Sequence, residues 1–210
     1  MIELFTLVVG PLEENCYIAC DADTREALIV DPGAEAEKII QFIKDKNILP
    51  QMIVNTHGHW DHVGAVSKLK DTFHIPFYLH QEDAKWLEEP LASYFGRSAV
   101  RGLTVDHFVK DGDELTLGQH RLRVIHTPGH TQGGCVLWLV EDAIAFTGDT
   151  LFKGTVGRTD FEDGSYEAIL HSVQTALKAL PGECVLYPGH GPKSTMAFER
   201  VHNPYMRYKA

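Results

Sequence analysis

The sequence predicts a mixed α/β domain in which two β-sheets pack together with helices on the outside. Three observations carry that expectation. Short strand-like runs recur along the chain, apolar residues at helical spacing fill several of the intervals, and the order runs strands with helices, then strands with a helix. At 210 residues the chain suits one domain, 1–210, with a substantial core.

The elements follow in order. Strand character appears at residues 3–9, 16–19 and 27–30, separated by Gly10-Pro11 and the polar stretch Asp21 to Thr24, both turn chemistry. Asp31-Pro32-Gly33 breaks the pattern, and from Glu35 to Lys46 the apolar Ile39, Ile40, Phe42 and Ile43 fall at helical spacing. Residues 51–55 read as a short buried strand, 63–70 as a helix, 76–79 as a strand and 81–88 as a helix. No period holds from Glu88 to Gly102, which reads as a surface insertion. Strands are expected at 107–109, 114–117, 121–125, 135–140 and 143–146. Ser165 to Ala179 reads as one amphipathic helix, with Ile169, Leu170, Val173, Ala176, Leu177 and Leu180 on one face. A strand at 184–187 precedes a last helix, capped by the hydroxyl of Ser194 or Thr195 and ending before Asn203-Pro204.

Composition narrows the function classes. Hydrophobic residues make up 44% and charged residues 23%, as in ordinary globular chains. A formal net charge of −10 argues against a nucleic-acid partner. The four cysteines are sparse and irregularly spaced, which suits buried thiols in a reducing compartment. The N-terminus lacks targeting chemistry, and no run approaches the roughly 18 apolar residues of a membrane span. A soluble, monomeric, cytoplasmic protein without a membrane partner is expected.

Five of the twelve histidines sit in glycine-rich turns directly after expected strands. Thr56-His57-Gly58-His59-Trp60-Asp61-His62 follows residues 51–55, Thr127-Pro128-Gly129-His130 follows 121–125, and Pro188-Gly189-His190-Gly191 follows 184–187. Asp149 occupies the same kind of position after 143–146. Strand ends share one edge of a sheet, so these side chains should converge there. Residues two apart in an extended turn point the same way, so His57 and His59 can grip one ion. Asp61 and His62 fall where the following helix begins and face a neighbouring position. Imidazole nitrogen and carboxylate oxygen suit zinc, with iron or manganese as alternatives. His74, His80, His107, His120, His126, His171 and His202 are expected to be exposed or hydrogen-bonded rather than ligands.

These motifs resemble the metallo-β-lactamase superfamily, whose His-x-His-x-Asp-His run matches residues 57–62 and whose later ligands match His130, Asp149 and His190. The resemblance implies a four-layer αββα sandwich of two mixed sheets flanked by helices. It assigns His57, His59 and His130 to one metal ion and Asp61, His62 and His190 to another, with Asp149 bridging. Val30-Asp31-Pro32-Gly33 matches the place where the family keeps an aspartate that orients a ligand from behind. True β-lactamases lack a carboxylate at the Asp149 position, so antibiotic hydrolysis is not expected.

Within that superfamily, Thr147 to Phe152, Gly157-Arg158 and Trp60 are similar to the hydroxyacylglutathione hydrolases (glyoxalase II), and Arg158 falls where those enzymes contact substrate. The family tyrosine two positions on is Asp160 here. Only 19 residues follow Gly191, so the C-terminal helical domain that binds glutathione is not expected. The implied enzyme is a short glyoxalase II-like thioester hydrolase with two divalent ions, zinc first, and with Asp61 and Asp149 as its catalytic carboxylates. Two such ions can share a water and lower its pKa, supplying a bridging hydroxide for attack on S-lactoylglutathione or a related hydroxyacyl thioester. The main rival is a persulfide dioxygenase of the same fold with one iron on residues matching His57, His130 and Asp149. The run Gly157 to Phe161 favours it, while Trp60 and Val156 speak against it. A nuclease is disfavoured by the acidic balance, and a non-catalytic metal protein by the complete ligand set.

Overall fold

The computed structural model describes residues 1–88, 103–160 and 162–207. Its chain alternates faces so strictly that the layers can be read from the strands alone. Strand β2 (Glu14–Asp21) is buried at every position. Its odd-and-even alternation sends Cys16, Ile18 and Cys20 into one apolar cluster and Tyr17 and Ala19 into another. Strand β3 (Glu26–Val30) does the same with Ala27 and Ile29 against Leu28 and Val30. A strand buried on both faces lies between two layers, and here those layers are helices on one side and a second sheet on the other.

The first sheet has the order β1 (Ile2–Val9), β2, β3, β4 (Leu49–Val54), β5 (Phe77–His80) and β6 (His107–Val109). β1 to β3 form an antiparallel meander, and β3 to β6 run parallel. Helix α1 (Ala36–Asp45) covers its outer face with Ile39, Ile40 and Ile43. The second sheet has the order β14 (Ser194–Thr195), β13 (Val185–Pro188), β10 (Ile144–Gly148), β9 (Cys135–Leu139), β8 (His120–His126) and β7 (Glu114–Leu117). Leu122, Val124, Leu137 and Phe146 face the first sheet, whereas Val136, Ala145 and Leu186 pack outward. The outer cover includes Val173 of a helix over Tyr166–Gln174. The architecture is therefore the expected four-layer sandwich of two mixed sheets between helices. A small hairpin, β11 (Leu151–Phe152) with β12 (Thr155–Val156), follows β10.

Three helices differ from the sequence expectation. The expected helix 63–70 is two pieces, α2 (Trp60–Val63) and α3 (Val66–Phe73). Between them the Ala65 amide donates to the Pro32 carbonyl at 2.9 Å rather than continuing one helical ladder. The helix expected over 165–179 ends at Gln174, because Thr175 leaves helical geometry at φ −123°, ψ −61°. A tighter 3₁₀ turn, Ala176–Ala179, follows and leaves Leu177 and Leu180 fully buried. Helix α4 (Lys85–Glu88) is likewise preceded by a 3₁₀ turn, Gln81–Asp83, where one helix was expected. Residues 89–102 of the expected insertion lie outside the described residues, as does Phe161.

The C-terminal helix (Met196–His202) is capped by Thr195, whose hydroxyl accepts from the Phe198 amide. All four cysteines are buried free thiols. Among the described residues no helix is long and apolar enough to cross a membrane.

Phe146 joins the inter-sheet core to the turn that carries Asp149, and its ring packs at a tilt, centroids 5.2 Å apart, against Tyr17 of the facing sheet. Replacing it with alanine should destabilise the protein by about 3–5 kcal/mol, the range for deleting a buried aromatic ring. Urea denaturation checks this, with a lowered midpoint and an unchanged slope expected.

Candidate metal centre

The loops that carry the candidate residues leave the C-terminal ends of five strands. Asp31 follows β3, residues 55–62 follow β4, 127–134 follow β8, Asp149 follows β10 and Gly189-His190 follow β13. β3 and β4 run parallel, as do β10 and β13, while β8 and β10 share a direction through antiparallel β9. All five ends therefore open on one rim of the sandwich.

Of three groups of ligand-capable side chains among the described residues, the third being Asp31, His57 and His62, two match the expected ligand sets. Ligand-capable atoms of His57, His59 and His130 lie within 4.8 Å of one another, as do those of Asp61, His62 and His190. Asp149 lies between them. Its Oδ2 is 3.4 Å from His130 Nε2 and 3.8 Å from His190 Nε2, and its Oδ1 is 3.5 Å from His62 Nε2. The structure thus brings together all seven residues that the sequence singled out.

Outward hydrogen bonds fix how the imidazoles face. The His130 Nδ1–H donates to the Arg158 carbonyl at 2.8 Å, and the His190 Nδ1–H to the Leu12 carbonyl at 3.0 Å. The His62 Nδ1–H donates to Asp31 Oδ2 at 3.1 Å. The Thr56 hydroxyl donates to the same carboxylate at 2.6 Å, so towards His57 Nδ1, 3.1 Å away, it can only accept. Each of these four rings spends its Nδ1 proton outward and presents Nε2 to the centre. Buried His57 Nε2, His62 Nε2 and Asp149 Oδ1 have no hydrogen-bond partner. Lone pairs facing lone pairs and carboxylates repel unless a cation or protons lie between them. Nitrogen and carboxylate donors in this arrangement fit borderline divalent metal ions such as zinc or iron.

Electrostatics agree with that reading. Burial and the neighbouring imidazoles hold His57 well below the ordinary histidine range, and burial with His130 pulls His59 down to about 3. Both are neutral, as ligands must be. Burial raises the Asp61 carboxyl, but His62 and a hydrogen bond from His190 outweigh it and its pKa is lowered. Burial depresses His62, but Asp61, Asp149 and Asp31 overcome that and raise it well above the usual value. His190 is raised against its own burial by Asp61 and Asp149.

Asp31 lies behind the centre, with Oδ1 accepting from the Thr56 amide at 2.7 Å and Oδ2 from Thr56 and His62. Arg158, the expected substrate contact, also has a main-chain role. Its exposed guanidinium forms two bonds with Asp160, at 2.7 and 2.9 Å, while its carbonyl aligns His130. Of the histidines set aside, His120 is buried between Asp142 at 2.6 Å and Asp21 at 3.1 Å, away from the clusters.

Several supports were not read from sequence. Asn15 Nδ2 donates to the Pro188 and Gly191 carbonyls, and the Tyr17 hydroxyl donates to Pro188, so the first hairpin holds the His190 turn. Glu14 is buried beside His62, Oε1 3.9 Å from Nδ1, with neither oxygen hydrogen-bonded. Burial pushes its carboxyl well above the usual range. The visible signal was a polar Glu13-Glu14-Asn15 run entering an apolar strand. Gly189 makes room for the centre, since a Cβ there would lie 2.4 Å from Asp149 Oδ1.

The metallo-β-lactamase superfamily model matches residues 9–190. Among curated relatives, the probable metallo-hydrolase YqgX of Bacillus subtilis is 37% identical, with 94% of each chain covered. The hydroxyacylglutathione hydrolase GloC of Haemophilus influenzae is 37% identical, covering 96% of this chain and 97% of that one. Among solved structures, the BLEG-1 B3 metallo-β-lactamase has a TM-score of 0.93 at 36% identity, covering 98% of this chain and 100% of its own. TTHA1623, solved in a di-iron-bound form, has a TM-score of 0.86 at 34% identity over 96% and 99%. ETHE1 from Myxococcus xanthus has a TM-score of 0.79 at 28% identity over 96% and 83%.

The raised histidines yield a pH prediction. His62 and His190 hold protons above the ordinary value of 6.5 in the metal-free protein. Their contribution to metal-free stability is full below that value and lost as pH rises through the raised pKa values. A metal must displace those protons, so its affinity should rise with pH. Zinc titration calorimetry near pH 7 in buffers of different ionisation heat should show proton release; a heat independent of buffer would contradict it.

Proposed function

This chain belongs to the metallo-β-lactamase superfamily, and from that membership we propose that it is a thioester hydrolase with a dinuclear centre. The observation that carries the reading is Asp149, which reaches both three-residue clusters at once. We assign His57, His59 and His130 to one divalent ion and Asp61, His62 and His190 to the other, with zinc as the expected metal. When bound, two such ions supply Lewis acidity and lower the pKa of a coordinated water towards neutrality.

The chain's own residues supply the rest. Asp61 and Asp149 place two negative charges against four positive ones, leaving an excess that suits an anionic tetrahedral species. Asp31, Thr56 and the carbonyls of Leu12 and Arg158 hold the imidazoles in one orientation, as outer partners of ligands do. Leu12, whose carbonyl binds His190, and Phe152, whose ring lies 6.4 Å from that imidazole, present apolar surface for an acyl group. A thioester suits this site because its thiol, with a pKa of roughly 8.5, leaves without a strong acid. The 37% likeness to GloC supports a hydroxyacyl thioester such as S-lactoylglutathione. Arg158 is our candidate for a substrate carboxylate, which would take the place of Asp160 on its guanidinium. The enzyme we propose is monomeric and cytoplasmic and acts on a small molecule, with neither nucleic acid nor membrane as partner.

A second reading is the mononuclear iron persulfide dioxygenase. The likeness to ETHE1 and the run from Gly157 to Asp160 favour it. It would leave Asp61, His62 and His190 without a metal. The likeness to BLEG-1 adds β-lactams to the substrates worth testing, against the expectation drawn from Asp149.

Parallel assays of metal-replete protein with S-lactoylglutathione, glutathione persulfide and a β-lactam decide among these. Free thiol should appear with the first, without oxygen consumption with the second or ring opening with the third. Oxygen uptake with persulfide and no thioester turnover would overturn the reading. Asp149→Ala should lower thioester turnover by more than about 100-fold, because even residues behind metal ligands typically cost 10–100-fold. Retention of two ions and near-normal turnover in that variant would refute the bridging role.

A further inference from the structure

Asp83 was not a candidate at the level of sequence, and it touches neither cluster. It closes the 3₁₀ turn Gln81–Asp83 at the end of β5 and is fully buried. A buried carboxylate needs donors, and its donors come from two different loops. Oδ2 accepts from the Gly58 amide at 2.9 Å and from the Thr131 hydroxyl at 2.8 Å. Oδ1 accepts from the Gly133 amide at 2.6 Å.

Gly58 lies between His57 and His59, and Thr131 follows His130. The first loop leaves β4 of one sheet, and the second leaves β8 of the other. Steric fit tightens the connection. A Cβ on Gly133 would lie 2.6 Å from Asp83 Oδ1, and one on Gly58 would lie 2.7 Å from the Asp83 carbonyl. Both glycines let the backbone close onto this one residue.

Resting on the dinuclear reading above, we infer that Asp83 is a positioning residue that sets the spacing of His57 and His59 against His130, and so governs metal affinity at the three-histidine position. Asp61, His62 and His190 are held by other means: Asn55 Nδ2 to the His62 carbonyl, Asp31 to the His62 ring, and Leu12 and Asn15 to the His190 turn. The effect should therefore be selective. A fold strut of no functional consequence would weaken both positions together or neither.

The test is zinc titration of metal-stripped, ¹⁵N-histidine-labelled protein, following each imidazole by NMR, for the native chain, Asp83→Asn and Thr131→Val. Asparagine keeps the volume but turns an N–H towards one of the donors, and valine removes only the hydroxyl bond. In Asp83→Asn, zinc affinity read at His57, His59 and His130 should fall about 10–100-fold, while that read at His62 and His190 stays within about threefold. Thr131→Val should show the same selectivity at about threefold to tenfold, and it decides the matter alone if the asparagine variant does not fold. Equal weakening at both positions, or none, overturns the inference. A native chain that fills only one position overturns the dinuclear reading instead.

Discussion

Five imidazoles and two carboxylates turn ligand-capable atoms towards one another across the rim where two sheets meet, and everything else in the molecule accommodates that crowding. His62 Nε2 has Asp61 and Asp149 oxygens at 3.8 and 3.5 Å, and His190 Nε2 faces Asp61 Oδ2 at 3.3 Å. Such a set is unfavourable by itself and becomes favourable around cations. Its protons are sent outward, to Asp31, Thr56 and two main-chain carbonyls, so the inward pattern is built into the folded chain before any ion arrives.

The sandwich explains why the crowding is tolerable. Three apolar clusters separate the four layers, and the strand ends can differ only as far as those cores allow. Several residues then lock the loops across layers. Cys135 of β9 donates its amide to the Thr56 carbonyl at 2.8 Å, and Asn15 donates its amide to Gly189 at 2.7 Å. These links make the site a property of both sheets.

The amino-acid sequence disclosed the parts with local signatures. Strand-like runs, helical spacing and the order of elements point to the layers, and histidines after strands in glycine turns point to the rim. What it hid depends on distant partners. Asp83 and Glu14 look like ordinary surface acids in sequence, yet folding buries both, one among three donors and the other with none. The break at Gly64 was invisible because it depends on Pro32, more than thirty residues away, accepting the Ala65 amide. Resemblance points to the side chain of Arg158, whereas the contact of its carbonyl with His130 is visible only in the structure.

The division of ligands into two sets joined by Asp149 is the claim on which the chemistry depends. Anomalous diffraction from crystals of the metal-loaded protein tests it most directly. Two peaks are expected, one enclosed by His57, His59 and His130 and one by Asp61, His62 and His190, with the Asp149 carboxylate between them. A single peak held by His57, His130 and Asp149 alone, with the other three side chains unliganded at saturating metal, would contradict it.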